Sequence, residues 1–273
     1  MIFVYLIVSL LVMIIYFQQE RLLLKGEKIK PQWKPVLDFP YEEIYFPVKQ
    51  GKKEIVLHGV IYKSKNPSKG LIIYYHGNKG NLDSVGFNGL TYLSNDFDMA
   101  MLDYRGYGKS EGKIITPEML LEDAIYFYDA LLKLYNYDDK SIIVVGKSLG
   151  TGLATHVAAK RKTKLLMLIT PYDKLYKVAK NKYTWLPTKF LFKYLIPSID
   201  WLSQINVPIR IIHGTRDEVI FPERAENYYL KAKELGKDVH ITWLKGALHN
   251  NLENYTEYHL WIKNCLNATV KPN

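Results

Sequence analysis

A chain of 273 residues, 48% of them hydrophobic, has enough apolar content for one large α/β core or two small ones, and no repeat or low-complexity tract divides it. Its single cysteine, Cys265, excludes an intramolecular disulfide framework and any cysteine-rich metal site. Lys and Arg number 37 against 27 Asp and Glu, a net charge of +10, yet the lysines are scattered and no basic stretch interleaves with aromatics, so no nucleic-acid partner is expected.

Met1 to Phe17 carries no charged side chain. As a helix it reaches roughly 25 Å, slightly short of a hydrocarbon core of about 30 Å. Tyr16 and Gln18 suit the interface, and Leu22, Leu23 and Leu24 suit a position along it. No Lys or Arg precedes Arg21 and no A-x-A site follows, which counts against a secretory signal. The expectation is therefore an N-terminal transmembrane helix over 1–20, an uncleaved single-pass anchor that makes the membrane a partner; a cleaved signal or a buried apolar helix are the alternatives. Arg21, Lys25, Lys28, Lys30 and Lys34 flank its C-terminal side, which by the positive-inside bias puts the main domain in the cytoplasm. Pro31, Trp33 and Pro35 mark 21–40 as a connector, and the main domain runs over 41–273.

From Tyr41 the pattern turns to strands. Glu43 to Val48 and Glu54 to Tyr62 read as an antiparallel hairpin, with His58 as a structural histidine inside its second strand. Leu71 to Tyr75 is the next strand and runs into His76-Gly77-Asn78-Lys79-Gly80-Asn81; helical periodicity follows to about Leu93. Phe97 to Leu102 is a strand ending in a glycine-punctuated loop, Asp103 to Ser110. Pro117 to about Tyr135 is a long amphipathic helix with proline in its first turn. Further strands fall at Ile142 to Val145, Leu165 to Ile169, Pro208 to His213 and Val239 to Leu244, with helices from Leu149 onward, from Pro222 to Leu235 and from Leu252 to about Leu266. This alternation implies an α/β fold with a mostly parallel central sheet of about eight strands and helices on both faces. Between 171 and 207 the alternation lapses in a stretch too long for a plain loop and too apolar for disorder. It reads as a small helical insertion over the strand ends, either a lid with an acyl-chain pocket or a packed connector.

The chemistry centres on Gly146-Lys147-Ser148-Leu149-Gly150, a G-x-S-x-G match between a β-branched run and a small-residue helix. A strand-to-helix turn this tight strains the serine, and glycines two residues either side remove the collisions. The turn lifts the Ser148 hydroxyl clear of the sheet and brings the Leu149 N–H near any oxyanion that forms. Alone, the motif also fits a glycine-rich turn with an idle serine, so its partners decide. A serine nucleophile needs a base, and the base an orienting carboxylate. Of seven histidines only His249 lies in a glycine-containing loop between the last strand and the last helix, which opens at the same sheet edge as Ser148. Asp217 follows the strand ending at His213 and opens at that edge too; Asp173, just after the preceding strand, is the rival acid. The Asn78 N–H is the second expected oxyanion donor, beside Leu149.

The segments HGNKGN, DYRGYGKSEG, GKSLGTG, HGTRDEVI and GALHN, in this order, resemble the α/β-hydrolase superfamily over about Tyr41 to Cys265. Within it the chain is similar to a membrane-anchored serine hydrolase branch that includes lysophospholipid lipases, protein depalmitoylases and bacterial esterases. The resemblance implies nucleophile Ser148, acid Asp217, base His249 and oxyanion donors Asn78 and Leu149, with no metal and no cofactor. Two departures touch the pocket wall: Thr170-Pro171-Tyr172-Asp173, where relatives more often carry a small residue, Pro, Phe and Thr, and Leu248 where glycine is usual. The expected function is hydrolysis of a carboxylic ester or thioester, a small-molecule or lipid acyl substrate such as a lysolipid or monoacylglycerol. A serine peptidase of the prolyl-oligopeptidase type and a non-catalytic, membrane-tethered binding protein of the same fold are the alternatives.

Overall fold

The computed structural model describes residues 12–14, 16–35, 37–182 and 187–269. Beside a two-residue parallel pairing of Lys25–Gly26 with Lys79–Gly80, one eight-stranded sheet organises them. In chain order its strands are β1 (Tyr41–Gln50), β2 (Lys53–Tyr62), β3 (Leu71–Tyr75), β4 (Asp98–Leu102), β5 (Ile142–Lys147), β6 (Leu165–Ile169), β7 (Ile209–Gly214) and β8 (Val239–Leu244). Across the sheet they stand in the order β8-β7-β6-β5-β3-β4-β2-β1. Only β2 runs against the others: it pairs antiparallel with both β1 and β4, and every other neighbouring pair is parallel. The sheet is thus mixed.

The unbroken apolar runs have a direct cause. In β5, Ile142 and Val144 point into one core and Ile143 and Val145 into the other; in β3, Leu71, Ile73 and Tyr75 face the first and Ile72 and Tyr74 the second. Strand side chains alternate, so a sheet covered on both faces needs apolar residues at every position. Helices α2 (Pro117–Tyr135), α3 (Leu149–Lys160) and α6 (Pro222–Glu234) cover the first face through residues such as Phe127, Leu153 and Tyr228. Helix α7 (Thr256–Asn267) and the short turns over 82–93 cover the second through Tyr258, Ile262, Leu82 and Leu93. The expected helix up to Leu93 is broken into three short pieces, with Gly86 and Gly89 in its middle.

After β3 the chain crosses to β4 and then returns past β3 to β5, so the order reverses between β3 and β5. A crevice opens at the C-terminal strand ends where such a reversal occurs. The loop carrying Asn78 and the turn carrying Ser148 leave the sheet there. Between β6 and β7 the stretch 171–207 holds α4 (Leu175–Lys182), α5 (Thr188–Leu191) and a 3₁₀ segment, Ser198–Gln204; residues 183–186 lie outside the described set.

The N-terminal expectation is corrected. Residues 1–11 and 15 of the proposed anchor lie outside the described residues, and among the described residues no helix is long and apolar enough to cross a membrane. What the structure places at the end of that stretch is the five-residue helix α1 (Gln19–Leu23), with Gln19 only 4% exposed. The transmembrane helix, the single-pass localisation, its cytoplasmic orientation and the membrane partnership drawn from it do not stand. Hydropathy reports how apolar a segment is, not what covers it, and Leu22 and Leu23 line a cavity of the protein itself.

Candidate active site

The turn between β5 and α3 has the predicted strain. Ser148 sits at φ +52° and ψ −119°, a conformation that L-residues rarely adopt. A Cβ on Gly150 would lie 2.0 Å from the Tyr75 carbonyl oxygen, and one on Gly146 would lie 2.4 Å from the Gly150 oxygen. Both positions therefore require glycine. The Ser148 N–H donates to the Ile169 carbonyl at 2.9 Å, tying the turn to β6.

Three loops converge on this apex. Ser148 Oγ is 3.0 Å from His249 Nε2, and His249 Nδ1 is 2.8 Å from Asp217 Oδ2. Asp217 Oδ1 accepts from the Val219 and Ile220 N–H groups at 2.9 and 2.8 Å. Burial raises the Asp217 carboxyl, but the hydrogen bonds of His213 and His249 outweigh it and hold the group well below the usual carboxylate range. An ionised carboxylate only accepts, so the proton of neutral His249 lies on Nδ1, and Nε2 is left to accept from the Ser148 hydroxyl.

His213 belongs to this arrangement, although as a residue closing a strand it gave no sign of it in the sequence. Its Nε2 donates to the Ile220 carbonyl at 2.8 Å and lies 3.3 Å from Asp217 Oδ2. The usable signal is spacing: His213 lies four residues before Asp217, across the turn after β7, and meets His249 on the Asp217 carboxylate. The rival Asp173 is occupied elsewhere, by Lys177 at 2.7 Å, Arg224 at 3.3 Å and the Lys174 N–H at 2.7 Å. His58 is a buried structural histidine set between Asp103 at 3.0 Å and Glu43 at 2.9 Å.

Asn78 lines the same cavity as Ser148 and His249. Its backbone is fixed from outside: the carbonyl accepts from the Lys25 N–H and the Tyr107 hydroxyl, both at 2.8 Å, and the side-chain amide donates to the Leu23 carbonyl at 2.6 Å. Leu149 opens α3, where the first N–H groups of a helix have no partner within it. Of the two sequence departures, Tyr172 is fully buried with its hydroxyl 3.3 Å from the Leu149 carbonyl, and a Cβ on Gly152 would lie 2.1 Å from that hydroxyl. Leu248 is 39% exposed beside the histidine.

The cavity holds about 680 Å³, within the ordinary range for a small-ligand site. One wall is apolar, built from Leu22 and Leu23 of α1, Leu175 and Val178 of α4, and Leu191 and Phe192 around α5. Among the described residues no group of three His, Cys, Asp or Glu side chains is placed to hold a metal ion.

Comparison with known proteins agrees with this architecture. A family model described as the alpha/beta hydrolase fold matches residues 70–171. The human alpha/beta hydrolase domain-containing protein 17B is 31% identical over 195 residues, covering 70% of this chain and 64% of that protein, so the chain spans a little under two thirds of that relative's length. The Pyrococcus furiosus esterase Pf2001 superposes with a TM-score of 0.72 at 20% identity, covering 90% of this chain and 99% of the esterase. A thermostable carboxyl esterase from Bacillus coagulans gives 0.67 at 16% identity, over 84% and 99%. At such identities the two structures speak to the fold alone. Strand order, glycine-flanked serine turn, family match and curated relative agree: the chain has the α/β-hydrolase fold and is similar to proteins of that superfamily.

Proposed function

We propose that the protein is a serine hydrolase that cleaves carboxylic ester or thioester bonds of acyl substrates through an acyl-enzyme. Ser148 is the nucleophile, His249 the general base and then acid, and Asp217 the group that holds the imidazole in its working tautomer. His249 Nε2 takes the Ser148 proton as Oγ attacks the carbonyl carbon, and the tetrahedral oxyanion meets the N–H groups of Asn78 and Leu149. The C–O or C–S bond then breaks, and His249 returns the proton to the departing alcohol or thiol. Water repeats the sequence on the acyl-enzyme: His249 accepts its proton, and the acid and free Ser148 are released. Each preorganised oxyanion donor contributes roughly 2.7–4 kcal/mol to the transition state.

The observation that carries this reading is the continuous relay of 3.0 and 2.8 Å contacts ending on a serine held in a strained turn. The apolar wall beside it favours an acyl chain over a peptide, and a lysolipid or monoacylglycerol is the substrate class that fits such a wall. The test is hydrolysis of p-nitrophenyl esters of graded chain length by wild type and Ser148→Ala. Turnover by wild type that falls at least a thousandfold in the variant supports the reading. Equal rates for the two proteins, or none from folded wild type, would return it to a binding protein of the same fold.

A further inference from the structure

Gln19 is a polar side chain 4% exposed, on the five-residue helix α1, which follows helical turns at 12–14 and 16–17. Its amide spends both ends on one strand of main chain: Nε2 donates to the Leu191 carbonyl at 2.6 Å, and Oε1 accepts from the Lys193 N–H at 2.8 Å. The side chain thus completes the backbone pairing that the end of α5 lacks, as a neighbouring strand would. Around it, Lys193 lies 3.7 Å from Glu20 and 4.5 Å over the Tyr16 ring. The other end of α1 is held separately, by the Asn78 amide on the Leu23 carbonyl. Between these two ties, Leu22 and Leu23 line the cavity together with Leu191 and Phe192. Of the contacts between α1 and the Leu191–Lys193 segment, the Gln19 amide makes the two hydrogen bonds to main chain.

We propose that Gln19 is a specificity-determining positioning residue: it fastens α1 to the Leu191–Lys193 main chain so that Leu22 and Leu23 complete the wall that takes the distal part of the acyl chain. This rests on the acyl-hydrolase reading above. A short acyl group at Ser148 carries little chain to set against that wall and a long one carries much more, so the clasp acts on chain-length preference more than on the chemical step.

The test compares full-length wild type, Gln19→Ala and Gln19→Glu on p-nitrophenyl acetate and decanoate, together with hydrogen exchange at the Lys193 amide. Gln19→Ala should lower the decanoate-to-acetate ratio of kcat/KM about tenfold, with the loss carried by the KM for decanoate, and Lys193 exchange should speed up at least tenfold. Gln19→Glu keeps the acceptor for Lys193 but sets a second acceptor against the Leu191 carbonyl, so its ratio should fall at least as far as that of Gln19→Ala. A Gln19→Ala ratio within twofold of wild type overturns the inference, as does unchanged Lys193 exchange. Wild type that turns over neither ester overturns instead the acyl-hydrolase reading beneath it.

Discussion

Replacing Asp217 by Asn tests the relay at its most constrained point. The asparagine oxygen can take over the Val219 and Ile220 N–H groups, which places its NH₂ where Oδ2 now faces His249 Nδ1 and His213 Nε2. His213 cannot adapt, because its Nε2 already donates to the Ile220 carbonyl, an acceptor only. His249 escapes the N–H against N–H contact only by moving its proton to Nε2, and an Nε2 that donates can no longer take the Ser148 proton. A triad held in the wrong tautomer loses about 10⁴ in kcat, equivalent to about 5.5 kcal/mol at 1.36 kcal/mol per tenfold. Asp173→Asn removes a carboxylate that faces Lys177 and Arg224, not the relay, and its kcat should stay within about threefold of wild type on the scale where tenfold is 1.36 kcal/mol. Steady-state hydrolysis of p-nitrophenyl butyrate by the two variants and wild type reads both effects. Asp217→Asn retaining more than a tenth of wild-type kcat, or Asp173→Asn suffering the larger loss, would refute the reasoning.

Gly150→Ala drives a Cβ to 2.0 Å from the Tyr75 carbonyl, backbone on backbone, so the turn must open; the expected cost is about 1–3 kcal/mol in the urea midpoint, with esterase turnover lost, and a variant as stable and active as wild type would contradict the packing argument. Arg105→Met leaves the Asp123 carboxylate, 2% exposed and paired to Arg105 at 2.6 and 2.7 Å, without its counter-ion; denaturation should show a loss of about 3–5 kcal/mol, largely recovered when Asp123→Leu is added. Acid stability follows from the depressed Asp217 carboxyl. Its contribution is fully present above the unfolded carboxylate value of about 3.9 and is lost as the pH falls from there toward the lower folded value, so the stability profile of Asp217→Asn should be flatter below about pH 4, and a parallel profile would show that the carboxylate is not the group that titrates.

Much of this was legible in the chain because the relevant physics is local. The apolar runs at Ile142 to Val145 and Leu165 to Ile169 announce strands buried on both faces, and the paired glycines at 146 and 150 are a steric requirement that a sequence records directly. His249 and Asp217 were readable because a sheet of known direction brings loops after successive strands to one edge. The failures were questions of covering. The anchor was expected over 1–20, and nothing along those residues records that the Leu191 carbonyl and the Lys193 N–H, 172 and 174 positions after Gln19, take its amide, or that Leu22 and Leu23 beyond it line a cavity. His213 was missed for the same reason. Its neighbour in space is set by a tight turn whose shape the residue types only suggest.

The measurement that bears most directly on the central claim is the site of covalent capture. Folded, full-length protein treated with a fluorophosphonate, digested and sequenced by mass spectrometry should carry its adduct on Ser148, and His249→Ala should slow the capture at least a thousandfold, as expected when an unassisted hydroxyl must react. An adduct on any other residue, or capture at an undiminished rate without the imidazole, would contradict the account.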